Sequence, residues 1–441
     1  MRRNRKKILS GFLVVGLIAV LCTSAAALDV KVKGKAEMAG YWENNRAMVE
    51  DDAVAQRYFT TFIQLDPVFH VADGLKLVTR FEGLERVAGL KSIGSEGPWG
   101  RNSQNEQNIA MKRGYISAKI LGGVLDVGYM GAGRTGTDFM DYDADVFRIK
   151  YVYTTGPWKI QVLTEKAGEN SLGPNGYSDA DRDKYQITPS YKWSGGEVGT
   201  QFQWYRYNDQ EHAASNPYKQ NYYLLCPWFK ATYGPVYVEG EINYYFGKAY
   251  DYNDPATVED RDYESFNYYL MGKYTFGPAY VGAQIARVQG QDSTKTDKWN
   301  VPGAPSSQGH MVYQPTLVLW NDWTNRWTNQ GLGKNGVISN NNAYWVNNAQ
   351  LYQIMAGYKP FEKLSFDVTF AIAKADETPS GYIDGDYGKE LDLYASYRLY
   401  DNLTYTVAFG YLWAGDYWKG TNANAQVGDD WLLMHKLTLT F

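Results

Sequence analysis

The stretch Trp431–Phe441, reading WLLMHKLTLTF, decides the fold. Counting back from Phe441 in twos gives Leu439, Leu437, His435, Leu433 and Trp431; the other parity gives Thr440, Thr438, Lys436, Met434 and Leu432. A strand alternates in this way when one face meets apolar surroundings and the other meets water or polar groups. Read alone, the stretch also fits an edge strand of a soluble protein, so the rest of the chain must arbitrate.

The same alternation fills the sequence. Val30, Val32, Gly34, Ala36 and Met38 oppose Lys31, Lys33, Lys35 and Glu37, and Val236 to Phe246 and Leu403 to Trp413 repeat the pattern. Apolar residues return every second position and not at three and four, which excludes helices over most of the chain. Short turns punctuate the strands. Thr154-Thr155-Gly156-Pro157, Thr232-Tyr233-Gly234-Pro235 and Thr275-Phe276-Gly277-Pro278 share a T-x-G-P signature, in which Gly accepts unusual dihedrals and Pro fixes one. Ala72-Asp73-Gly74, Gly122-Gly123, Ser194-Gly195-Gly196, Phe361-Glu362-Lys363 and Asp401-Asn402 make five more. Longer polar segments, near 45–55, 89–106, 133–144, 169–182, 210–218, 250–262, 291–345, 376–388 and 416–430, separate the resulting hairpins. Eight short turns and nine long loops predict eighteen strands, with sixteen as the alternative because residues 291–345 are ambiguous.

A soluble propeller or β-helix would bury both faces of its inner strands. Here charged residues sit mid-strand, where a dry core would have to pair each one. A water-filled lumen accommodates them without that cost, and Tyr and Trp near strand ends (Tyr151, Tyr153, Trp158, Tyr205, Tyr207, Tyr397, Tyr400, Tyr411, Trp413) match interfacial girdles. The fold class expected is therefore all-β, an antiparallel up-and-down transmembrane barrel.

Residues 1–27 read as a secretory signal: Arg2, Arg3, Arg5, Lys6 and Lys7, an apolar run from Ile8 to Leu21, and Ala25-Ala26-Ala27 before cleavage. That run is shorter than the roughly 20 residues that span a bilayer. Losing those five cations takes the net charge from −4 to −9. Only Cys226 then remains of two cysteines, so no internal disulfide is expected. Residues 28–441 form one barrel domain in this reading.

Signal, alternating strands, paired turns and the final Phe441 together resemble the Gram-negative outer-membrane porin class over the whole mature chain. The resemblance implies passive diffusion of small hydrophilic solutes and often a homotrimer. It further implies outer-membrane lipid and lipopolysaccharide as surroundings, and the barrel-assembly machinery as reader of Leu437, Leu439 and Phe441. A substrate-selective channel, for oligosaccharides for example, is the nearer alternative, and a surface-binding barrel the more distant one.

Parity assigns the pore lining to Lys76, Arg80, Glu82, Arg113, Lys119, Asp126, Arg148, Lys150, Glu165, Glu239, Glu241, Lys273, Asp367, Asp392 and Arg398. Basic members come mainly early and several acidic ones late, which predicts opposed walls of opposite sign and a transverse field. The long loop 291–345, with Trp299, Trp320, Trp323, Trp327 and Trp345, is expected either to fold inward as a constriction or to place Met311–Trp320 as an extracellular hairpin. Its indole rings could stack on sugars. The triplets Asp141-x-Asp143-x-Asp145 and Asp179-x-Asp181-x-Asp183 lack the Gly and the twelfth-position acid of a calcium loop and read as solvated rim carboxylates, with divalent-ion bridging to lipopolysaccharide as the lesser alternative. His70, His212, His310 and His435 lie near no nucleophile signature, so no enzymatic activity is expected. No cofactor, metal or nucleic-acid partner is expected either.

Overall fold

The computed structural model describes residues 29–45, 48, 50, 55–87, 109–172, 179–213, 215–254, 258–302, 310–321 and 346–441. The signal segment and Trp323, Trp327 and Trp345 lie outside them. Eighteen long strands are β1 (Asp29–Glu43), β2 (Gln56–Ala72), β3 (Leu75–Val87), β4 (Ile109–Ile120), β5 (Gly123–Gly131), β6 (Asp145–Thr155), β7 (Trp158–Gly168), β8 (Arg182–Trp193) and β9 (Gly196–Tyr207), then β10 (Tyr218–Tyr233), β11 (Val236–Tyr252), β12 (Arg261–Phe276), β13 (Ala279–Val288), β14 (Ala349–Phe361), β15 (Leu364–Lys374), β16 (Asp386–Tyr400), β17 (Leu403–Ala414) and β18 (Asp430–Thr440). Each pairs antiparallel with its neighbours in sequence, and β18 closes on β1, so the sheet has no free edge.

The strand number expected from the turns is the one found. Gly156, Gly234 and Gly277 take φ of 53°, 57° and 56°, so the T-x-G-P reversals need Gly at a left-handed position that a side chain would strain. Alternation puts the closing partner of β18 at Val30 to Met38; the seam forms on that same strand, displaced towards its long-loop end. Lys35 to Glu43 pair with Thr440 to Leu432, leaving the start of β1 bonded to β2 alone. At the lower end of this seam the Gly34 N–H donates to the Phe441 carbonyl (2.8 Å), and the Phe441 N–H donates back to the Gly34 carbonyl (3.1 Å).

Parity separates the two surfaces. Leu65, Ile116, Ile149, Val162, Ile187, Leu225, Leu270, Ile354, Leu393 and Phe441 are exposed on the outside, forming the belt that acyl chains cover. Outward aromatics cluster at both rims: Trp158, Tyr233, Tyr274, Phe276, Tyr358 and Tyr400 by the short turns, and Trp42, Phe59, Tyr129, Tyr185, Tyr352 and Trp413 by the long loops. Tyr205 and Tyr207 depart from the girdle expected for them. They face inward and are buried among Tyr222, Tyr245 and Tyr263, because their strand parity points to the lumen and neighbouring strands offer rings at the same level.

Candidate pore constriction

Two loops on the long-loop side of the barrel fold into its interior. The first, between β5 and β6, reaches across to the wall of β11 and β12. Its Thr137 donates to one Glu241 oxygen from both the backbone N–H (2.9 Å) and the hydroxyl (2.9 Å), while Asn243 donates to the other oxygen (2.8 Å). Phe139 then stacks on Tyr269 at 5.5 Å. Gly136 permits this approach: its φ is 78°, and a Cβ there would lie 2.8 Å from both the Glu241 carboxylate and the Trp228 ring. Gly136→Ala should therefore loosen the crossing by about 1–3 kcal/mol. Limited proteolysis of the folded protein checks this, with faster cleavage between residues 132 and 144 as the expected result. Asp141 in the same loop has its carboxyl held well above the usual range, first by burial and then by the facing Glu241.

The second loop joins β13 to β14. His310 and Met311 form a short antiparallel bridge with Asp143 and Tyr142, the Val312 N–H donates to the Asp141 carbonyl (3.0 Å), and Tyr313 meets Phe139 edge-on, so the two loops are clasped together. Beyond the clasp, Thr316 to Trp320 are all buried against the inner wall of β13–β18 and β1. The wall is shaped for them by small residues, Ala286, Ala349, Ala371, Ala373 and Ala408, where bulkier side chains would fill the lumen themselves. Glu390 anchors the turn by accepting from the N–H groups of Leu317 (2.8 Å), Val318 (2.5 Å) and Leu319 (2.8 Å). Asp392 accepts from Leu317 (3.3 Å) and the Thr369 hydroxyl (3.1 Å), and Gln353 donates to the Pro315 carbonyl (2.6 Å). Of the two dispositions open for Met311–Trp320, the inward one is found. Trp320 packs on Tyr313 within this apolar seam and so presents no free ring face to a sugar.

The opposite arc, β2 to β8, carries a ladder of ion pairs on its inner face. Arg80 meets Asp66 (2.6 Å), Lys112 meets Glu82 (3.4 Å), Arg113 meets Asp145 (2.6 Å) and Lys150 meets Asp126 (3.2 Å). Arg148 and Lys184 share Glu165 at 2.8 and 2.7 Å, with Arg148 also donating to the carbonyls of Met130 and Ala144. Cross-strand register produces these contacts: Asp126 lies directly opposite Lys150, and Glu165 lies between Arg148 and Lys184. An irregularity between Arg80 and Phe81 in the β3–β4 pairing inserts Lys112 as an extra residue, which brings it to Glu82 beside Arg113. Arg80, Arg113, Arg148 and Lys150 thus do not form a bare positive wall facing a negative one; neighbouring carboxylates neutralise them.

The remaining parity-assigned residues also face inward. Glu239 accepts from the Tyr237 (2.7 Å) and Tyr269 (2.8 Å) hydroxyls, and Asp367 accepts from Tyr280 (2.7 Å), whose ring lies under Lys273. Arg398 meets Glu362 at the short-turn rim (2.7 Å), where Lys76 and Lys119 also sit near the turns. Parity alone would have found Lys184 and Glu390, whereas Lys112 required the bulge and Asp145 the register. In the Asp triplets, Asp145 is spent on Arg113, Asp179 on Arg206, and Asp181 and Asp183 on Lys166 (2.8 Å each), and the side chain of Asp143 lies outside the described residues.

No family model matches the chain, and no curated protein matches it in sequence. Among solved structures, Pseudomonas aeruginosa OccK8 (OprE) is similar at TM-score 0.55 and 13% identity, over 94% of this chain and 98% of that one. Pseudomonas aeruginosa OccK9 (OpdG) gives TM-score 0.51 and 15% identity, over 94% and 99%. An anion-selective porin from Comamonas acidovorans superposes more loosely, at TM-score 0.44 and 9% identity. Identities this low establish a shared fold and nothing finer. A closed barrel of eighteen strands, apolar and girdled by aromatics outside and polar within, makes the chain an outer-membrane β-barrel of porin-like architecture.

Proposed function

We propose that the protein is a channel for passive diffusion of small hydrophilic solutes and ions, narrowed by its two clasped inner loops. The observation that carries this reading is the ladder on β2–β8. Side chains of Arg80, Asp66, Lys112, Arg113 and Lys150 keep between 15% and 25% of their surface exposed inside the barrel, as wall groups of a hydrated passage do. Ionised groups at that level of exposure are stable where water reaches them and costly where it does not. The described parts of the clasped loops dock on the other arc, and in this reading the route for solute runs along the ladder. Lipopolysaccharide around the rim, the assembly machinery as reader of Phe441, and a homotrimer belong to the same proposal.

Liposome swelling with sugars of graded size tests it. Uptake that falls with size and does not saturate is the expected result; no uptake of any solute by correctly folded protein would defeat the reading. Saturable uptake would favour the second reading, a substrate-selective channel. That reading draws on a polar cavity of about 100 Å³ between the first inner loop and the wall, lined by Arg148, Lys184, Gln186, Gln203, Glu241 and Asn243.

A further inference from the structure

We infer that the passage prefers zwitterionic solutes, those carrying an ammonium and a carboxylate a few ångströms apart, over neutral solutes of the same size. The inference rests on the channel reading above and names the solute class of that same wall. The ladder sets six cations against five carboxylates, every one of them in an ion pair with a separation between 2.6 and 3.4 Å. Paired charges at this spacing nearly cancel at a distance. The arc therefore offers a free anion or cation little net potential to follow. At contact range the same pairs remain strong dipoles.

Lys150 and Asp126 meet at 3.2 Å, and one contact of this kind engages one of an ammonium's three N–H groups and one oxygen of a carboxylate. Both side chains are partly open to the lumen, at 15% and 11% exposure. A zwitterion laid antiparallel across such a pair gives its ammonium to the carboxylate and its carboxylate to the ammonium, without breaking the pair. Lys112–Glu82 is a second such pair, at 22% and 11% exposure, whereas Asp66 is engaged through both oxygens by Arg80 and also accepts from Gln64 (2.6 Å). A neutral solute gains only ordinary hydrogen bonds at these positions. A simple anion gains one contact and meets a carboxylate beside it. Arg148 and Lys184 do not share this role, since Glu165 between them is fully buried.

Proteoliposome swelling in glycine against its neutral isomer glycolamide isolates the dipole, because the two have the same atoms. Wild-type protein should admit glycine about threefold faster, the differential of one exposed ionic contact. Potassium–chloride reversal potentials should show weak selectivity. The double variants Asp126→Asn/Lys150→Gln and Glu82→Gln/Lys112→Gln keep the net charge and polarity of the wall while removing its dipoles. Each should bring the glycine-to-glycolamide ratio towards one, the ratio being read within each variant so that any change in overall permeation cancels, with heat-modifiable mobility confirming a folded barrel. Equal glycine and glycolamide rates in the wild type, with arabinose still entering, would overturn the inference and leave the channel reading standing. An undiminished ratio in both folded double variants would overturn it too, by placing the preference elsewhere. Failure of every solute to enter would remove the channel reading and this inference with it.

Discussion

Replacing Glu390 with Ala should release the Pro315–Trp320 segment from the barrel wall and raise single-channel conductance in planar bilayers. The apolar contacts alone do not hold it decisively. Burying Leu317, Val318, Leu319 and Trp320 contributes roughly 1.5–3 kcal/mol each. Ordering the five residues from Thr316 onward costs roughly 1–2 kcal/mol per backbone unit, with side-chain entropy in addition. These terms are close to balance, so the three N–H groups that converge on Glu390 decide the outcome. Without the carboxylate each buried donor loses about 1–3 kcal/mol. Water entering the lumen offsets part of that loss by solvating them, but only once the segment has lifted. Glu390→Gln keeps one acceptor oxygen and should give an intermediate conductance. Proteolysis at residues 312–321 should rise in the same order: wild type, Gln, Ala. Unchanged conductance and protection in the Ala variant would mean that the alanine-lined wall holds the segment without its anchor.

The second large effect concerns the seam. Deleting Phe441 should sharply reduce the amount of heat-modifiable barrel recovered in outer membranes, while the channels that do form conduct normally. The deletion removes two backbone hydrogen bonds to Gly34, worth about 1–3 kcal/mol together, and the ring that lies over that glycine. A Cβ on residue 34 would come within 2.3 Å of the Phe441 ring, so the glycine and the terminal aromatic fit as a pair. Nine further cross-strand positions from Lys35–Thr440 to Glu43–Leu432 remain, enough to keep a completed barrel shut. None of the lumen-facing groups is touched. A defect confined to assembly is therefore expected, and normal surface levels of the truncated protein would contradict the role given to this residue. Gel shift on unheated membranes separates the two outcomes.

Much of the fold was legible because a pleated strand has a period of two and a closed barrel gives each parity one solvent. Phe441, Leu439 and Leu437 outside, and Lys436 and Thr438 inside beside Glu37, follow from counting alone. Five of the eight short turns carry a glycine at left-handed φ, Gly74, Gly122, Gly156, Gly234 and Gly277, a conformation other residues adopt only at a cost. Inward-facing charges were readable for the same reason, from Lys76 to Arg398.

What each inward charge meets was not readable, because partners on adjacent strands are set by register. A shift of two residues would preserve every parity and replace every pair. Arg80 and Arg148 read from sequence as a bare basic wall; the sheet brings Asp66 and Glu165 to them and leaves dipoles in place of a field. The bulge that delivers Lys112 is likewise a property of two strands together. The long loop carried an apolar run with two possible resting places, and the run itself did not choose between them. Tertiary structure chose, by placing five alanines and the Glu390 carboxylate, distant in sequence, on one stretch of wall. Period and punctuation thus determined the barrel and its two faces, and narrowed its strand number to eighteen or sixteen. Register and loop docking, which depend on residues far apart in the chain, decided how its interior is charged and how far it is filled.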